Sequence, residues 1–292
     1  MQTSNFKHYI HLHFLVFIAG FTAILGELIS VSSISLVWHR MLIASVLTLI
    51  YLITSKTKIS IDFKTLLKFS LPGLIIALHW ITFFEAIEQS NISITLAMFS
   101  TAAFFTSFIE PLFFRRRIIY YEIVMGLLVI TGVYLITMAE ILYLNGIILG
   151  IFSALFSSLF SVFNGKLVKK HSPITISFYE FLTGVIFITS YLLITKSFSS
   201  VYIENIFSLD YFYLFILGSV CTAYAFIAAV SLMKYLTPFT VVLTYNLEPV
   251  YGIVLAILLF PNQEKMSFMF YLGAILILAT IIINSFIKYR KN

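Results

Sequence analysis

Glu248 stands beside Pro249 inside "PFTVVLTYNLEPVYGIVLAILLF", a run that is otherwise almost wholly apolar. In a helix Pro249 cannot donate to the carbonyl of Tyr245, so that carbonyl is left free. Tyr245, Asn246 and Glu248 fall on the same turn. A free carbonyl, a phenol, an amide and a carboxylate could together coordinate a ligand or exchange a proton. The same groups also fit a structural kink with a neutralised or paired glutamate. A second pair, Glu110-Pro111, frees the Ser107 carbonyl in the same way, but "RRR" at 115–117 offers this glutamate a local ion pair.

Three further positions carry chemistry. His79 and Trp80 sit in "LHWITFFEAIE"; the imidazole could shuttle protons near neutral pH or simply pack through a hydrogen bond. Trp80 is a core residue or the aromatic wall of a cavity. Arg40 and Glu180 lie at corresponding places in two similar segments, and their opposite charges permit either a bridge or separate contacts with a substrate. His39 and Trp38 are weaker candidates. Span 4 is rich in small and hydroxylated residues, Ser93 to Ser107, which suit close helix packing or the lining of a path. There is no Walker A loop, no HExxH, no paired Cys/His set and no Gly-x-Ser-x-Gly elbow. The expectation is therefore no catalytic residue, no metal and no cofactor.

These residues need elements to hold them, and composition says of what kind. Of 292 residues 61% are hydrophobic and only 10% charged, with a mean hydropathy of +1.04. A soluble domain carries about 25% charged residues. So little charge cannot coat a water-facing surface, and a membrane protein is expected. One cysteine, Cys221, excludes an internal disulfide framework. "HLHFLVFIAGFTAILGE" has no clear cleavage site after it and reads as a retained first span.

A span needs about 20 apolar residues. Charges and turn residues divide the chain into ten segments, roughly 10–27, 33–54, 66–87, 92–114, 119–139, 146–168, 173–195, 211–233, 238–260 and 267–287. With the N-terminus in the cytoplasm, 15 of the 18 basic residues fall on the inner side. The outer loops keep only Lys196 and Lys265, and Arg40 lies within a span. This asymmetry predicts both termini inside. It assigns the basic excess to topology and anionic lipid headgroups, not to nucleic acid. The Ile-, Lys-, Phe- and Asn-rich composition suits an AT-rich bacterial genome, hence a bacterial cytoplasmic membrane.

Residues 32–56 and 172–196 share six of 25 positions at an offset of 140, and an offset of 147 aligns Gly126 with Gly273. Two units follow, 1–142 and 143–292, each of five spans. Because five is odd, the second crosses in the opposite sense, the inverted arrangement of many secondary transporters. The fold class expected is all-α, with ten transmembrane helices in two inverted five-helix repeats.

The layout resembles the drug/metabolite transporter superfamily, EamA type, over nearly the whole chain. "NLEPVYGIVLAILLFPNQEKMSFMFYLGAILIL" carries the likeness: Pro249, Glu264 and Gly273 stand at the family's proline, acidic and glycine positions. The first half departs, with Ala102 and Arg117 at the matching places. The resemblance implies a central cavity lined by the first, third and fourth helices of each half, and peripheral fifth and tenth helices. It implies export of a small polar or amphipathic metabolite by alternating access, with proton coupling left open. Uptake, an intramembrane enzyme and a non-transporting receptor or scaffold are the alternatives. Arg40, His79, Trp80, Glu180, Tyr245, Asn246 and Glu248 are the substrate-binding or coupling candidates. The partners expected are a small-molecule substrate, membrane lipids and, if coupled, protons, in a monomer or homodimer.

Overall fold

The structure, a computed structural model, describes residues 2–56, 59–115, 120–203, 208–245 and 247–291. Among the described residues there are helices and no strand, and a helix satisfies each of its backbone groups within its own segment, as hydrocarbon requires of a lone span. The helices are α1 (Gln2–Leu28), α2 (Ser33–Thr54), α3 (Phe63–Gln89), α4 (Ile92–Phe99), α5 (Ala102–Phe114), α6 (Tyr120–Ala139), α7 (Leu144–Leu167), α8 (Pro173–Ile194), α9 (Leu209–Gly218), α10 (Ala225–Leu232), α11 (Pro238–Tyr245), α12 (Glu248–Leu259) and α13 (Phe268–Lys291). Taken with their continuations, eight helices among the described residues are long and apolar enough to cross a membrane. Two shorter apolar stretches, Val124–Ala139 and Phe268–Thr280, lie in α6 and α13.

Three segments expected as continuous spans are interrupted. Residues 92–114 break at Ser100–Thr101 into α4 and α5. There Ser100 Oγ donates to the Leu96 carbonyl (3.1 Å) and Thr101 Oγ1 to that of Met98 (2.7 Å). Hydroxyls bonding back onto the preceding turn in this way compete with the backbone ladder. Residues 211–233 pass through a π-turn, Ser219–Tyr224, where Thr222 Oγ1 donates to the Leu217 carbonyl at 2.6 Å. Residues 238–260 split into α11 and α12, so Pro249 does not kink a continuous helix. It lies in the first turn of α12, where a missing N–H leaves no helical bond unmade.

The two broken helices correspond. α4 and α11 are each eight residues long, and a shift of 146 carries Ile92–Phe99 onto Pro238–Tyr245 and Ala102 onto Glu248. Elsewhere α3 packs on α7 and α8, α2 on α8, and α1 on α12, while α6 and α13 pair chiefly with one another. Glycine permits two of these contacts. A Cβ on Gly73 would lie 2.7 Å from the Glu180 carbonyl, so α3 and α8 touch backbone to backbone. A Cβ on Gly273 would lie 2.7 Å from the Gly132 carbonyl, which brings α13 against α6.

Contacts between helix ends define two faces of the bundle. On one, His8 stacks on Tyr235 (4.1 Å between centroids), Tyr179 Oη donates to the Ile59 carbonyl (2.9 Å) and Lys166 Nζ to that of Phe113 (3.3 Å). On the other, Ser30 donates to Asp210, Ser33 to Glu85, and the Ser267 N–H to Glu140 (3.0 Å). The first is the basic face, with Lys166 and Lys169 beside Phe113 and Phe114. The second is the acidic face, where Glu27, Glu88 and Glu264 border a cavity of ≈ 340 Å³.

Candidate functional site

A second cavity of ≈ 110 Å³ lies among the buried helices, between the broken ones. The break of each broken helix reaches it: Phe99 and Ala102 from α4 and α5, Tyr245 and Glu248 from α11 and α12. Cys221 in the π-turn lines it as well. A break frees backbone groups, and in a membrane such groups are tolerated where they border protein or a cavity. Trp80, Phe83, Phe160 and Phe226 give it aromatic walls, set among aliphatic residues such as Val230 and Val242 and the hydroxyls of Thr22, Ser157 and Ser161.

Arg40 is buried and is held on three sides. Its Nε donates to Thr222 Oγ1, its Nη2 lies 3.4 Å from the Cys221 carbonyl, and its guanidinium sits 4.0 Å above the Trp80 ring. A guanidinium over an indole face is an attractive contact that also fixes the plane of the fork. Nη1 is buried without a partner among the described residues. An unmet buried donor is costly; a bound anionic group would supply its acceptor.

Glu248 lines the same cavity and is buried. Tyr245 stands beside it on the wall. Asn246, grouped with them from the sequence, lies outside the described residues. His79 also lines the cavity. Its Nδ1–H donates to the Ser153 carbonyl at 3.0 Å, and Ser153 Oγ–H donates to the His79 carbonyl at 3.2 Å. That tautomer leaves Nε2 as the acceptor. Trp80 is cavity wall, stacked on Phe181 with centroids 6.1 Å apart.

Glu180 is not in the cavity and does not pair with Arg40. Its Oε2 accepts from Asn164 Nδ2 at 3.3 Å, and Oε1 is buried without a partner among the described residues. The α3–α8 contact at Gly73 holds it in place. With no shared partner between Arg40 and Glu180, their effects on stability should add. In a double-mutant cycle of Arg40→Gln and Glu180→Gln, we expect thermal or denaturant unfolding to give an interaction energy within about 0.5 kcal/mol of zero. A coupling of about 2 kcal/mol or more would restore the bridge.

Glu110, assigned a local ion pair from sequence, reaches across the bundle to accept from the Phe239 N–H at 2.8 Å. Arg116 and Arg117 lie outside the described residues. The hydroxyls of α4 and α5 serve packing: Thr106 bonds back to Ala102 and Ser107 to Phe104, while Ser158 of α7 donates to the Ala102 carbonyl at 2.6 Å. Sequence reasoning missed Thr222, Cys221 and Asn164. A lone threonine in "GSVCTAYAF" carries no local sign that it will face an arginine 182 residues away.

The sequence model of the EamA-like transporter family matches residues 8–138 and again 144–286. A solved crystal structure, whose title names no activity, superposes with a TM-score of 0.70 at 12% identity. That match covers 96% of this chain and 98% of the other, and at this identity it shows a shared fold. No curated protein matches the chain. Two family matches that together span nearly the whole sequence, on a bundle of apolar helices around a mainly apolar cavity that Arg40 and Glu248 also line, settle the assignment: the chain is a multi-pass membrane protein of the EamA-like transporter family, within the drug/metabolite transporter superfamily.

Proposed function

We propose that this protein is a secondary transporter with ten spans in two inverted repeats, 1–142 and 143–292, both termini in the cytoplasm of a bacterium. It moves a small amphipathic metabolite that carries an anionic group, and it works as an exporter by alternating access. The observation that carries this reading is Arg40, whose buried Nη1 has no partner among the described residues, on the wall of a cavity it shares with four aromatic rings. The guanidinium takes the anionic group; Trp80, Phe83, Phe160 and Phe226 take the apolar body. Glu248, across the same cavity, meets a donor group of the substrate or a proton, and His79 Nε2 offers a further acceptor. Glu180 acts outside the cavity, on the packing of α8 against α7.

Flux in proteoliposomes tests this. A metabolite comparison of cells with and without the protein names the substrate, and the purified protein should then carry it across vesicles. Export predicts that cells lacking the protein retain that metabolite. If reconstituted protein moves none of the metabolites that differ between the cells, the transporter reading fails for this cavity.

Orientation has its own test. In a Cys221→Ser background, single cysteines at Asn145 and Lys169 lie at opposite ends of α7, and both native side chains are exposed. An impermeant thiol reagent outside intact cells should label Asn145→Cys and leave Lys169→Cys unmodified. The opposite pattern would invert the topology.

A further inference from the structure

The two broken helices are tied to each other at both faces of the bundle by the same device. On the acidic face α4 starts after Asn91, whose Oδ1 accepts from the Ile94 N–H at 2.9 Å. The N–H groups of Ile92 and Ser93 both donate to the Glu264 carboxylate, at 3.0 Å to Oε1 and 2.9 Å to Oε2. Glu264 follows α12. On the basic face Thr237 takes the place of Asn91, and its Oγ1 accepts from the Thr240 N–H at 3.2 Å. Pro238 has no N–H to satisfy. The next N–H, of Phe239, donates to Glu110 Oε2 at 2.8 Å, and Glu110 lies in the last turns of α5.

So the loop after α12 caps the start of α4, and the end of α5 caps the start of α11. Both carboxylates are buried. A negative charge at a helix N-terminus meets unpaired N–H groups and the positive end of the helix dipole. Bonds of this charge-assisted kind are stronger than neutral ones. Each also crosses between the two family-matched halves, since α4 and α5 fall in 8–138 while α11, α12 and Glu264 fall in 144–286. The cavity lies at the breaks midway between the two caps. If the halves part at one face, the cap at that face is broken and the other can remain.

We propose that Glu264 and Glu110 are reciprocal latches. Glu264 holds the acidic face closed and Glu110 the basic face, and release of either latch opens the cavity on its own side alone. This rests on the alternating-access reading above, but its test reads access to the cavity and needs no substrate. The protein supplies the reporter, because its one cysteine, Cys221, lines the cavity.

The experiment measures the rate at which an impermeant maleimide labels Cys221 in sealed vesicles of each orientation, with Cys221→Ser as the blank. Glu264→Gln removes the charge and one of two acceptors. It should raise labelling from the acidic face about tenfold, the order expected for losing one charge-assisted hydrogen bond from the closed state. Labelling from the basic face should not rise. Glu110→Gln should do the converse. Glu140→Gln removes a different cap on the acidic face, that of Ser267 at the start of α13, and should leave both rates as in wild type. Should Glu264→Gln not reach the membrane, Glu264→Asp keeps the charge, shortens the reach and should give the same one-sided rise, smaller. Unchanged rates in the Glu264 and Glu110 variants would overturn the latches. So would equal rises from both faces, or a Glu140 effect matching that of Glu264. A protein that labels as expected yet carries no metabolite would keep the latches and lose the transport reading.

Discussion

Arg40→Gln is expected to leave a folded protein whose flux falls about 100-fold, the loss of one charge-assisted contact of roughly 2.7 kcal/mol with the bound anionic group. Glutamine can still donate to Thr222 Oγ1, which anchors Arg40 Nε in the native protein, so the π-turn keeps its partner. What it cannot supply is the free Nη1. Its amide also lacks the charge that draws the guanidinium over Trp80 at 4.0 Å. Arg40→Lys should recover little: an ammonium on a flexible stem does not reproduce a planar fork held over an indole. Flux in proteoliposomes and a melting temperature on the same preparation separate the two roles. A folded Arg40→Gln protein with unchanged flux would remove Arg40 from the binding site. A variant that fails to fold would leave the residue a structural tie between α2 and the π-turn.

Glu248→Gln should have the second large effect, and of a different kind. Glu248 starts α12, buried beside the cavity. A carboxylate there can take up and release a proton as the cavity opens to each side, whereas a carboxamide cannot. The variant should therefore keep substrate counterflow and lose accumulation driven by an imposed pH gradient. The start of α12 should survive, since Pro249 and the break before it set that turn. If wild-type flux shows no response to a pH gradient, protons are not the driving ion and Glu248 serves binding alone. If the variant matches wild type in both assays, Glu248 has no part in transport.

Membrane character, the helical class and the family were all legible in the chain. The reason is solvent: 61% hydrophobic residues with 10% charged demand a membrane, and apolar runs of about 20 residues cross it as helices that satisfy their own backbone. The family likeness rested on local residues, Pro249, Glu264 and Gly273, whose spacing survives without any contact being known. Arg40, His79, Trp80, Tyr245 and Glu248 could be singled out because polar groups at membrane depth are expensive wherever they occur. Which of them meet depends on helix rotation and on breaks, and these are decided between segments far apart in the chain. Arg40 and Glu180 read as possible partners because they stand at corresponding places in two similar segments and carry opposite charges. Packing at Gly73 sets Glu180 against Asn164, while the π-turn offers Arg40 the Thr222 hydroxyl and the Cys221 carbonyl. The breaks themselves were hidden, because Ser100 and Thr101 read equally well as packing residues and a π-turn leaves no local signature. Glu264 marked the family in the sequence, but only the tertiary structure places its two oxygens on the N–H groups of Ile92 and Ser93, more than 170 residues away. A helix N-terminus accepts whatever carboxylate arrives, and which one arrives is a property of the fold.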